Sequence, residues 1–148
     1  MNTHPYVRAY MGGIATPTMV LLIVLTAFVL ARFVFAIPVP IERAIIFPMA
    51  IVPNLFGVWN MLYLWLRPHQ HLPIGLHGAI LPFILAPSGY ALGRALNVLN
   101  LQSNGLVYFQ TLTVAYSHMA IAFIFGLIVY YLVWKYFVAF FNRVLGIG

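Results

Sequence analysis

The chain alternates between long apolar runs and short polar interruptions, at a scale longer than any strand or surface helix uses. Uncharged apolar text runs from Met11 to Ile37 with one break at Arg32, from Ala44 to Leu66, from Ile74 to Gly93, and from Leu106 to Trp134. A bilayer core takes about 20 apolar residues per helix. The pattern therefore predicts four transmembrane helices over 11–37, 44–66, 74–94 and 106–134. With no water in hydrocarbon, a spanning segment must pair its backbone internally, which leaves helices and closed barrels. Continuous runs of this length argue for helices. Arg32 can snorkel from within the first run. The fourth run is longer than a perpendicular crossing needs and should tilt or project.

The interruptions carry the expected boundary chemistry. Pro38 and Pro40 end the first run, Arg43 and Arg67 flank the second, and Pro68-His69-Gln70-His71-Leu72-Pro73 makes a short connector. Asn97, Asn100, Gln102, Ser103, Asn104 and Gly105 mark the next loop. Tyr63 and Trp65, and later Tyr130, Tyr131, Trp134 and Tyr136, form interfacial aromatic belts. Segments outside the runs reach only about 13 residues, too short for a core of their own. The chain reads as one all-α domain over 1–148, a polytopic membrane protein built as a bundle of four transmembrane helices with short loops. The first run is too long for a signal-peptide core and reads as a retained anchor.

Composition agrees and removes several kinds of chemistry. Of 148 residues, 64% are hydrophobic and 5% charged, with one acid, Glu42. A soluble surface cannot be made from so few charges. The net charge of +6 comes from scattered single cations that bracket apolar runs, so nucleic acid is not an expected partner. There is no cysteine for disulfides, thiolate metal sites or thiol catalysis. Without paired carboxylates, neither general acid–base chemistry nor a carboxylate metal site can be assembled. Four helices put both termini on one side, with Arg8, Arg67, Lys135 and Arg143 against Arg32, Arg43 and Arg94. That is a four-to-three vote for cytoplasmic termini in a plasma or inner membrane.

Several residues remain as candidates. Gly89 and Gly93 form a GxxxG pattern that lets another helix backbone approach. Helices 2 and 3 share a Pro-x4-Pro spacing, Pro48 with Pro53 and Pro82 with Pro87, and each proline frees a backbone carbonyl. With Asn54 and a stripe of Gln110, Thr113, Ser117 and His118 on helix 4, these define a candidate polar site. His118, near mid-depth on that reading, is a candidate haem ligand, and His77 is the one other helical histidine. His69, His71 and His77 lie close in sequence, but their spacing is not that of a metal site, and no metal is expected. Glu42 is expected to pair with Arg94 or Arg32 at the membrane surface.

The expected function follows from this inventory. It is a non-enzymatic integral membrane protein acting through the bilayer and lateral contacts, as a subunit of a membrane complex or a homo-oligomer. The alternative is a small channel or carrier for an anion or neutral solute at the proline-interrupted helices. A haem- or quinone-binding anchor comes third.

Overall fold

Each apolar run folds as a helix because only a helix satisfies every backbone group within its own segment in lipid. The computed structural model describes residues 4–37, 41–108 and 112–148, and within them the side chains of all but 41–48 and 112. Helix α1 spans Pro5–Phe33, α2 Ile41–Leu66, α3 Ile74–Ile80 and α4 Pro82–Ala95. Strands β1 (Leu99–Gln102), β2 (Gly105–Tyr108) and β3 (Leu112–Ala115) follow. The last rod is α5 (Tyr116–Val133), a π-helical stretch over Trp134–Val138, and α6 (Ala139–Val144). Four helical segments have the length and composition to cross a membrane: Pro5–Phe33, Met49–Leu66, Ile74–Ala95 and Tyr116–Val144. The architecture is the four-helix bundle that the apolar pattern predicts.

Helices α3 and α4 are one span with a break. Pro82 has no N–H to give to the Gly78 carbonyl, and Leu81 N–H takes that carbonyl at 3.1 Å instead. Pro82 then starts α4, where a missing donor costs nothing.

The fourth span differs from the sequence reading. It runs from Tyr116 to Val144, not from 106 to 134. The residues ahead of it are rich in β-branched and aromatic types, among them Val107, Tyr108, Thr113 and Val114, which favour strands. They form an antiparallel meander in the order β1-β2-β3, with Gln102 opposite Gly105 and Gly105 opposite Ala115. Gly105 holds φ at +156°, and a Cβ there would sit 2.1 Å from the Val114 carbonyl oxygen, so no other residue fits. The Tyr116 hydroxyl donates to the Gln102 carbonyl at 2.7 Å and ties the sheet to α5. Open sheet edges are not tolerated against lipid. The sheet therefore places this end of the bundle at the membrane surface.

At the opposite end, α6 closes with a Schellman turn. Gly146 at φ +68° lets Gly146 N–H reach the Arg143 carbonyl and Ile147 N–H reach the Asn142 carbonyl. The turn carries the Leu145 carbonyl to Arg8 Nη1 at 3.5 Å and the Ile147 carbonyl to Arg67 Nη1 at 3.1 Å. Both ends of the helical framework, the start of α1 and the end of α6, thus meet on one side.

The core lies toward that side. Phe56, Leu81, Leu85, Trp134 and Val138 form one buried cluster. Helix α1 buries residues only between Ala9 and Pro17, and α5 buries none.

Candidate functional site

The most polar part of the interior is built where α1, α2 and α6 meet. Gly12 and Gly13 on α1 face α2 and α6 without side chains, which lets the backbones close. A Cβ on Gly13 would lie 2.4 Å from the Phe56 carbonyl oxygen, and one on Gly12 would lie 2.7 Å from Asn142 Oδ1. Into this space α2 brings Asn60 and α6 brings Asn142, both buried. Their amides pair reciprocally: Asn60 Nδ2 donates to Asn142 Oδ1 at 2.7 Å, and Asn142 Nδ2 donates to Asn60 Oδ1 at 3.0 Å. Asn60 Nδ2 also donates to the Ala9 carbonyl at 2.7 Å. One amide pair therefore fastens three helices, and in a membrane such bonds each contribute about 1 kcal/mol.

A second fastening joins α2 to α3. Trp59 Nε1 donates to the His77 carbonyl at 2.8 Å, while His77 Nε2 lies 2.9 Å from the Trp59 carbonyl oxygen. The His77 ring is stacked on Trp59 at 4.9 Å between centroids and packed by Tyr63 and Trp134 at 5.2 and 5.7 Å. Trp134 reaches this position because Gly78 leaves room for its indole: a Cβ on Gly78 would fall 1.9 Å from Trp134 Cγ. The π-helical stretch begins at Trp134, where the fourth span turns its largest side chain into the core. Such stretches often mark functional positions.

Two buried polar atoms stand outside these bonds. Thr16 Oγ1 and Trp134 Nε1 have no hydrogen-bond partner among the described residues. On the same helix, the hydroxyls of Thr18 and Thr26 donate to the carbonyls of Ile14 and Leu22.

The sequence-derived polar site is not assembled as one stripe. Thr113 lies on β3, and Ser117 and His118 are exposed on the first turn of α5. Gln110 lies outside the described residues. The stripe required 106–118 to be helical, and strand formation over 112–115 removes that periodicity. Asn54, on α2, accepts a bond from the Tyr10 hydroxyl and donates to the Ala50 carbonyl. Ser88 does the same one helix on, donating to the Ile84 carbonyl at 2.6 Å. In each case the residue after a helical proline (Pro53, Pro87) bonds back along its own helix.

His118 is not at mid-depth either. It lies sixteen positions before Trp134, which contacts His77, and that is roughly 24 Å of helix. A haem held by both histidines does not fit that separation. His69 and His71 are exposed on the connector while His77 is buried, and among the described residues no three His, Asp or Glu side chains converge as a metal site requires. Gly93 meets Leu99 of β1, 2.4 Å from the place of a Cβ, and not a helix backbone. Gly89 is half-buried on the same helix. Arg94 Nη1 lies 3.4 Å from the Tyr90 hydroxyl, and the Arg32 guanidinium lies over the Phe33 ring. The Glu42 side chain, expected to pair with Arg94 or Arg32, lies outside the described residues.

The chain matches no protein-family model, no curated protein and no solved structure. The functional reading therefore rests on its own geometry.

The sequence reading missed Asn60, Asn142 and the glycines of α1, although signals for them exist. Asn60 is a lone amide between Val58 and Leu66, costly against lipid and so bound to face a partner. Ala9, Gly13 and Pro17, with Gly12 and Thr16, repeat small residues every four positions. That is the same close-packing device as GxxxG in a less literal form.

Proposed function

We propose that the protein is a non-catalytic integral membrane protein that works through lateral contacts in the bilayer, as a subunit of a membrane assembly or as a homo-oligomer. The observation that carries this reading is the openness of the first part of the fourth span: α5, from Tyr116 to Val133, holds no fully buried residue, and Tyr130 and Val133 at its end are partly buried against the core. Beyond Pro17, α1 holds no fully buried residue either. The buried side chains of Asn60, Asn142 and His77 are spent on helix fastening, which suits a scaffold better than a reaction site. Termini on the cytoplasmic face of a plasma or inner membrane complete the proposal, on the four-to-three division of cations.

The chain has no cysteine, which makes the test direct. Single cysteines at Ile124 and Ile128, both exposed on α5, are expected to cross-link in native membranes, while one at His69 on the connector is not. Native mass spectrometry from nanodiscs should then give a fixed stoichiometry above one chain. A lone chain with no cross-link at any α5 position would end this reading.

A further inference from the structure

The side of the bundle where α1 begins and α6 ends gathers Arg67, Lys135 and Arg143, far from the one acidic side chain, Glu42. A cavity of about 270 Å³ is lined there by Tyr63, Arg67, Lys135, Asn142, Arg143 and Gly148. The Lys135 ammonium stands over the rings of Tyr131 and Tyr136, at 5.6 and 5.4 Å. The one acid, Glu42, lies at the start of α2, whereas Arg67 directly follows its last residue. That is about 37 Å of helix. Three side-chain cations around one cavity at the edge of a low-dielectric phase give it a positive balance that favours a bound anion.

The neighbouring surface says what kind of anion. Arg143 also lines an apolar groove of about 590 Å³ between α1 and the α5–α6 rod, with Met19, Ile23, Val133, Tyr136 and Phe140 among its walls. Thr16 lines the same groove, is 6% exposed, and has a hydroxyl without a partner among the described residues. A buried hydroxyl is normally bonded, as Thr18 and Thr26 are on this helix. A free inorganic anion would fill the cavity and leave both the groove and the Thr16 donor unused.

We propose that cavity and groove together form a site for one anionic phospholipid. Its phosphate sits among Arg67, Lys135 and Arg143, an acyl chain lies in the groove, and the Thr16 hydroxyl donates to an acyl-ester carbonyl. Arg143, common to both parts, holds the junction of head and tail.

The test uses the full chain in nanodiscs of equal phosphatidylglycerol and phosphatidylcholine, with retained lipid counted by native mass spectrometry. The wild-type chain is expected to keep phosphatidylglycerol over phosphatidylcholine by about thirty-fold or more, the order that two or three surface cations supply. The double variant Lys135→Gln/Arg143→Gln should bring that ratio close to one. Both side chains are exposed, so the fold should persist, and circular dichroism checks it. Thr16→Val, which keeps the shape, should lower phosphatidylglycerol retention several-fold without changing the thermal midpoint. Equal retention of the two lipids by the wild type, or an unchanged preference in the double variant, would overturn the proposal. So would release of phosphatidylglycerol by millimolar inorganic phosphate as complete as that by phosphatidylglycerol vesicles, since that marks a free-anion site.

Discussion

The two ends of this bundle are both written in apolar residues, yet α1 and the fourth span bury residues at only one of them. Near the start of α1 and the end of α6, Ala9, Gly12, Gly13, Phe56, Asn60, His77, Gly78, Trp134 and Asn142 are buried against one another. Toward the sheet, α1 from Thr18 to Phe33 and α5 from Tyr116 to Val133 carry Leu, Ile, Val and Phe and bury none of them. The richer hydrophobic text is the one left bare. In water that order would be reversed. In lipid, apolar side chains gain nothing by leaving the acyl chains, and helices associate through close backbone contact and hydrogen bonds. The packed end has glycines at Gly12, Gly13, Gly57, Gly75 and Gly78, and amides at Asn60 and Asn142. The stretches Thr18–Phe33 and Tyr116–Val133 hold one glycine, Gly126, and no amide.

Alanine at the packed glycines is the strongest way to break this contrast. Gly78→Ala places a Cβ 1.9 Å from Trp134 Cγ, and Gly13→Ala places one 2.4 Å from the Phe56 carbonyl. At Gly13 the obstacle is backbone and cannot rotate away. Each variant should lose about 2–3 kcal/mol by overpacking, outweighing alanine's better helix propensity. Unfolding in mixed micelles, followed by tryptophan fluorescence, measures it. A wild-type midpoint for both would mean that the close contacts do not hold this end together.

The amide pair gives the next largest effect. Asn60→Leu leaves Asn142 buried beside an apolar group, and Asn142→Leu does the reverse. Each single change should cost about 1–3 kcal/mol, mostly as an unsatisfied amide. The double change removes both polar groups and should cost less than the two singles together. Strict additivity in that cycle would show that the two amides do not act on each other.

How much of this was legible follows from which physics wrote it. Four membrane helices were readable because bilayer thickness sets a length that no other context demands. Placing Arg8, Arg67, Lys135 and Arg143 on one side needed nothing but the count of crossings. The start of the fourth span was not readable by hydropathy, since Leu106–Val114 is as apolar as a helix and differs only in β-branched and aromatic content. The error carried the candidate site with it: Thr113, Ser117 and His118 share a face only on a helix that does not begin until Tyr116. Asn60 and Asn142 are 82 positions apart, and their pairing depends on a helix crossing that no local pattern encodes.

Gly93→Leu tests a smaller contact on the sheet side. Its new side chain would meet Leu99 of β1, a flexible side chain and not a backbone. The expected loss is about 1 kcal/mol, as the sheet shifts on α4. Assembly size should stay constant, because the face meets the chain's own strand. A change of oligomeric state on Gly93→Leu would instead place a second chain against α4.

Gly126→Ala should have the smallest effect and the opposite sign. Gly126 lies on bare α5, and a Cβ there meets nothing within 4 Å. For the chain by itself, alanine removes the entropic cost of glycine in a helix, a gain of up to about 1 kcal/mol. The identical substitution that wounds the packed end therefore strengthens the open one. Gly126→Leu adds bulk to the same spot and should leave the stability of the single chain unchanged. If α5 is a contact face, that bulk lands between chains, where close approach depends on a small residue. The two readouts then separate: the unfolding midpoint of dilute, detergent-dispersed protein holds, while the cross-linked fraction in membranes falls. If neither readout moves, Gly126 faces lipid and the contact face must lie on another stripe of α5. If the midpoint of the single chain falls, the Gly126 stripe of α5 packs within its own bundle, and the division into a packed end and an open end is wrong.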